Sequence, residues 1–215
     1  MSNNTCTKED LLEGCYHEVG HLISASLFQP FSDRIVGIAL NIKPNGARGA
    51  AIEFTSTAFN YKNGEYQGYK YLCLSGGVFQ QMKLLKNQLD SGLIQYNLCE
   101  KILNCKDPKA ASMHLYKRMV RIPFEGMEED LGGLFAIQSS ISEHFDEPFD
   151  INEERIKTIE LLFPYINCPV IEKLCIDCRD YFWDMASACK NPILFSKERI
   201  DGYLQNENCA LKLNV

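Results

Sequence analysis

A chain of 215 residues fits one sizeable domain, or at most two small ones. Its hydrophobic content of 46%, with 11% aromatic, is ample for a packed core and excludes an intrinsically disordered protein. A formal net charge of −6 argues against binding nucleic acid or an acidic membrane through bulk electrostatics.

The first ten residues, Met1–Asp10, are polar and lack the basic-then-apolar pattern of a secretory signal. No uninterrupted apolar run is long enough to span a bilayer, so a soluble, cytoplasmic protein is expected. Thr7-Lys8-Glu9-Asp10 resembles a capping box, with Asp10 in the place usually taken by Glu or Gln. Beyond it Leu11, Leu12, Cys15, Val19, Leu22, Ile23 and Ser26 recur at helical spacing and form one apolar stripe.

This helix carries His17-Glu18-Val19-Gly20-His21. Positions four apart share a helix face, so the imidazoles of His17 and His21 can bind a single Zn²⁺. Glu18 stands beside them as the candidate catalytic residue, able to take a proton from water activated by the metal. Gly20 lies mid-helix, where glycine costs about 1 kcal/mol relative to alanine. Its presence predicts that another segment approaches this helix closely. An ordinary amphipathic helix with half-buried histidines would leave both Glu18 and Gly20 unexplained.

Pro30 and Ser32-Asp33 mark a break. Arg34–Ile42 then alternates, with Val36, Ile38, Leu40 and Ile42 on one side, as in a half-buried strand. The turn-rich stretch Lys43–Gly49 is followed by a second alternation at Ala50, Ile52 and Phe54, which predicts a β-hairpin. Residues Asn60–Tyr66 read as a loop, and a helical pattern runs from about Gln67 to Leu89. Further helices are predicted at Leu93–Leu103, Pro108–Val120, Glu129–His144 and Ile151–Leu162, at Cys175–Cys189, and after Ser196. Asp107-Pro108 reads as a helix start. Repeats, low-complexity tracts and linkers are not evident, so the expected fold is mainly α with a small β-hairpin, in a single domain over residues 1–215.

Ten cysteines invite a metal or disulfide reading, above all Cys168, Cys175, Cys178 and Cys189. On a helix from about Val170 to Lys190, however, Ile171, Leu174, Cys175, Cys178, Phe182, Met185 and Cys189 make one continuous apolar stripe. Cysteine behaves there as a small buried hydrophobe. A structural zinc site would want a second close pair of ligands.

A catalytic zinc needs three protein ligands. The extended pattern H-E-x-x-H-x-x-G-x-x-H is excluded, because Ser24 and Leu27 stand where it requires glycine and histidine. Glu100 and Glu153 read as solvent-facing charges, and His114 and His144 are isolated. Asp130, in Gly126-Met127-Glu128-Glu129-Asp130-Leu131-Gly132-Gly133, stands among small residues that permit close helix approach. It is the favoured third ligand, with Asp107 second. The acidic cluster Glu128–Asp130 would otherwise be read as a first turn complementing the helix dipole.

These residues together resemble the peptidase domain of the FtsH-type zinc metallopeptidases. His17–His21 matches their H-E-A-G-H, Arg34–Phe54 resembles their small β-segment, and Leu74-Ser75-Gly76-Gly77-Val78-Phe79-Gln80 is similar to their second helix motif. Gly126–Asp130 matches the Gly-x-x-x-Asp stretch that supplies their third ligand. Gln80 departs from the family, which has glutamate there. The resemblance spans roughly residues 11–140, with the helices of 151–215 as an accessory part of the same domain. It implies a zincin-like helical metallopeptidase with metal ligands His17, His21 and Asp130. The chain has no G-x-x-x-x-G-K-S/T, so the family's ATP-driven motor is not expected.

The expected function is therefore zinc-dependent, ATP-independent hydrolysis of peptide bonds, with Zn²⁺ as cofactor. The substrate would be an unfolded segment, a peptide, or a partner delivered by another protein such as a chaperone. Oligomeric state, homo-oligomer or not, stays open. The alternative is a zinc-stabilised, non-catalytic protein-interaction module.

Overall fold

The computed structural model describes residues 7–28, 31–42, 48–55, 65–91, 130, 135, 150–186 and 192–205. Helix α1 (Lys8–Leu27) begins on the predicted capping box. Thr7 Oγ1 accepts from the Asp10 backbone N–H at 3.1 Å, and the Asp10 carboxylate accepts from Thr7 N–H at 2.7 Å. Aspartate is long enough to close the box. The one-turn helix α2 (Phe31–Arg34) follows, then strands β1 (Ile35–Ile42) and β2 (Arg48–Phe54) and the long helix α3 (Glu65–Asp90). After the helical residues Asp130 and Phe135 come α4 (Ile151–Leu162), a 3-10 turn at Phe163–Tyr165, α5 (Pro169–Ala186), strand β3 (Ile193–Ser196) and α6 (Lys197–Leu204). The fold is mainly helical with one small antiparallel sheet. The predicted helices at Leu93–Leu103 and Pro108–Val120 lie outside the described residues, as does Glu129–His144 apart from Asp130 and Phe135.

Helix α1 is more buried than its single predicted stripe implies. Besides Leu11, Cys15, Val19, Leu22, Ile23 and Ser26, it buries Tyr16, Glu18, Gly20, His21, Ser24 and Ala25. It is packed by α3, α5 and β2 on different sides, so apolar and polar faces alike are covered. The close approach expected at Gly20 comes from α3. A Cβ at that position would run into the Ser75 carbonyl oxygen and stand 2.7 Å from Phe79 Cβ.

The hairpin forms as predicted, with Ile38 opposite Ile52 and Leu40 opposite Ala50. The sheet has a third member that the sequence did not disclose. Strand β3 pairs antiparallel with β1, giving the order β2-β1-β3. An irregularity between Ile35 and Gly37 shifts the register there, so Ile35 turns inward and Val36 is only half-buried. Ile38 and Leu40 keep the expected inward side.

Cys175 and Cys178 are fully buried with Ile171, Leu174 and Phe182 on α5, as the stripe predicted, while Cys189 lies outside the described residues. Burial pushes both thiols well up, which suits inert core cysteines. Ion pairs made by buried lysines fasten the helices to one another. Lys70 meets Glu154 at 2.9 Å between α3 and α4, and Lys83 of α3 meets Glu172 of α5 at 2.6 Å. Among the described residues no helix is long and apolar enough to cross a membrane.

Candidate metal centre

Two helices running in opposite directions build the site. On α1 the residues Glu13, His17 and His21 are spaced four apart, and on α3 so are Leu72, Gly76 and Gln80. Antiparallel packing sets His21 against Leu72 and His17 against Gln80, with Gly76 between the two rings. Asp130 completes the group from the far side of the long segment that follows α3.

The three side chains converge. His17 Nε2 lies 3.0 Å from Asp130 Oδ2 and 3.0 Å from His21 Nε2, and His21 Nε2 lies 3.4 Å from the same carboxylate oxygen. Ligand atoms of His17, His21 and Asp130 all fall within 4.8 Å of one another, and they form the one such group among the described residues.

Donor and acceptor bookkeeping shows what this cluster lacks. His21 Nδ1 donates to the Leu72 carbonyl at 2.6 Å, and His17 Nδ1 donates to Gln80 Oε1 at 3.2 Å. With both Nδ1 protons used outward, a neutral imidazole has only an Nε2 lone pair to offer the other ring and the carboxylate. Three acceptors then surround one space, a shortage of positive charge that a proton or a metal cation would make good. Two imidazole nitrogens and one carboxylate oxygen are the donor set of a catalytic rather than a structural zinc, leaving coordination positions open. The wall behind them is shaped to match. A Cβ at Gly76 would press on His21 Nε2 and stand 2.7 Å from His17 Nε2, so only glycine leaves that space clear. The residues fit a zinc ion.

Electrostatics agree with this. Burial opposes the charge on Asp130, but the hydrogen bonds and charges of His17 and His21 outweigh it and hold the carboxyl well below its usual range. Burial likewise opposes a charge on His21, yet Asp130 and Glu18 raise its affinity for a proton overall. The same negative potential would favour a divalent cation, in competition with that proton.

Glu18 is buried next to the cluster, and burial raises its carboxyl above the ordinary value against the pull of His21, His17 and the Ile52 N–H. That N–H, from β2, donates to Glu18 Oε2 at 2.7 Å. In a strand alternate N–H groups point opposite ways. Thr55 N–H reaches back to Arg34 O, so the N–H of Ile52 points away from β1, off the edge of the sheet. The outer edge of β2 therefore faces the site.

Each residue singled out from sequence can now be placed. His17, Glu18, His21 and Asp130 are brought together. Glu153 is exposed and pairs with Lys157 at 3.0 Å across one helical turn, as a solvent-facing charge does. Asp107, Glu100, His114 and His144 lie outside the described residues. Sequence reasoning missed the supports: the Leu72 carbonyl, the gap at Gly76, the amide of Gln80 and the Ile52 N–H. The one available signal was the four-residue spacing of Leu72, Gly76 and Gln80, which repeats that of Glu13, His17 and His21. Compared with protein-family models, with characterised proteins and with solved structures, the chain finds no match in any of the three.

Proposed function

We propose that this chain is a zinc-dependent peptidase that needs no nucleotide. The observation that carries the reading is the convergence of His17, His21 and Asp130 beside a buried glutamate and a sheet edge. Zinc held by those three residues would supply a Lewis acid that lowers the pKa of water towards ~7 and polarises a scissile carbonyl. Glu18 takes the proton of the attacking water and passes it to the leaving amine; its raised carboxyl brings the group nearer to the working range of a general base. An extended polypeptide aligned on the outer edge of β2 would be held by main-chain hydrogen bonds beside the catalytic group. Such alignment suits an unfolded segment or a peptide, with chaperone delivery as one route to the site.

One observation favours the non-catalytic alternative, a zinc-stabilised interaction module. The Ile52 N–H occupies one oxygen of Glu18, so the carboxylate also ties α1 to β2. Its second oxygen is the one the enzyme reading uses. The Glu18→Gln variant separates the two readings. The peptidase predicts that it keeps zinc and fold but loses hydrolysis of an unfolded protein such as casein, because an amide cannot accept the proton. Wild type and variant behaving alike over a broad peptide library would leave only the module.

A further inference from the structure

Zinc binding by a histidine through Nε2 requires the proton to sit on Nδ1, and that proton needs an acceptor. For His21 the acceptor is the carbonyl of Leu72, a backbone oxygen that can only accept. For His17 it is the side-chain amide of Gln80, which has two ends of nearly equal size. One end accepts and the other donates. Turned the wrong way, the NH₂ would face Nδ1 and favour the tautomer with its proton on Nε2, pointing at the place a metal would occupy.

Something must hold the amide the right way round, and Glu13 is placed to do so. It lies one turn before His17 on α1, and its interaction with Gln80 draws its carboxyl down against the burial and the Asp10 charge that push it up. A carboxylate claims the NH₂ end of the amide and leaves Oε1 for His17. With Glu13 as acceptor the donor sense would run in one direction, from His17 Nδ1 to Gln80 Oε1 and from Gln80 Nε2 to Glu13.

We infer that Gln80, oriented by Glu13, is the positioning residue that fixes the tautomer of His17 and sets how tightly the centre holds its metal. The inference rests on the metal-centre reading above. It also accounts for glutamine rather than glutamate at this position. A carboxylate at 80 would accept from His17 equally well but would have no proton for Glu13, and two carboxylates would stand face to face. Exchanging the two side chains should restore the order with roles reversed.

The test is zinc affinity by chelator competition, joined to ¹H–¹⁵N NMR of the His17 Nδ1–H in the zinc-loaded protein. Gln80→Leu should weaken zinc about 10- to 100-fold, the usual range for a ligand's hydrogen-bond partner, and expose the Nδ1 proton to rapid exchange. Gln80→Glu alone should also weaken zinc. The double variant Glu13→Gln/Gln80→Glu should recover both the affinity and the protected Nδ1 proton, which a merely structural contact would not do. Wild-type affinity and protection in both single variants, or a double variant no better than Gln80→Glu, would overturn the inference and leave the metal centre standing. A wild type that binds no zinc would instead remove the metal centre itself.

Discussion

Helix α1 buries polar groups on two sides, and the two sides differ in kind. Toward α5, Tyr16 donates its hydroxyl to Glu172 at 2.9 Å, while Lys83 of α3 donates to Glu172 and to the Ile166 carbonyl at 2.6 and 2.8 Å. Every donor there meets an acceptor and the charges are opposite. Toward Asp130, two imidazoles and a carboxylate crowd together with both Nδ1 protons already directed to Leu72 and Gln80. Burial and polarity are common to both regions, so neither marks a site. The imbalance of donors and acceptors does. A balanced network holds helices together; an unbalanced one is what a proposed cation site would require.

The largest effect expected is on the unbalanced side, from a substitution that replaces no ligand. Gly76→Ala places a methyl group against both Nε2 atoms and should weaken zinc by more than about 100-fold, at least as much as losing a ligand's support. His17→Ala should do the same, and elemental analysis of the purified variants reads both. Stoichiometric zinc in Gly76→Ala would mean that the metal sits elsewhere.

On the balanced side Glu172→Ala leaves the Lys83 ammonium, 1% exposed, without its counter-charge. Breaking a buried pair in this way costs about 3 kcal/mol, less here because water reaches Glu172. Zinc content should not change. Denaturant melts together with metal analysis would show whether the two regions separate as described.

Acid sharpens the contrast. Burial raises the Glu172 carboxyl, but Lys83 and the Tyr16 hydroxyl outweigh it and hold it below its usual 4.5. A carboxyl depressed in the folded state stabilises fully above its unfolded value and loses that contribution as pH falls through the folded value. In the presence of a chelator, the gap in Tm between wild type and Lys83→Met should therefore narrow as pH drops below about 4.5. A constant gap from pH 7 to pH 3 would show that Lys83 contributes only by packing. The smallest effect belongs to the cysteines. Cys175→Ala should cost about 1 kcal/mol as a small cavity, with zinc unaltered.

What was legible in the sequence was local. The capping box at Thr7 and Asp10, the helix Ile151–Leu162 and the cysteine stripe of α5 depend on neighbours in the chain, and each stands where the local pattern puts it. Helix α1 was read as one-sided because nothing local reports that α3, α5 and β2 surround it. Strand β3 is four residues long and exists only because β1, some 150 positions earlier, supplies its partner. In the site, His17, Glu18 and His21 are visible through their spacing. Asp130 was reached through motif resemblance and spacing. The Leu72 carbonyl leaves no trace at all, since every residue has one, and Gln80 was visible only as a departure from an expected glutamate.

A single metal ion held between α1 and α3 by two imidazoles and one carboxylate has a spectroscopic signature of its own. X-ray absorption at the zinc edge of the purified protein reads it. One zinc per chain is expected, with two imidazole nitrogens at about 2.0–2.1 Å, oxygen in the remaining positions and no sulfur. Sulfur at about 2.3 Å would move the metal to the cysteines of this chain and rule out the proposed centre. So would protein that takes up no metal when zinc is supplied.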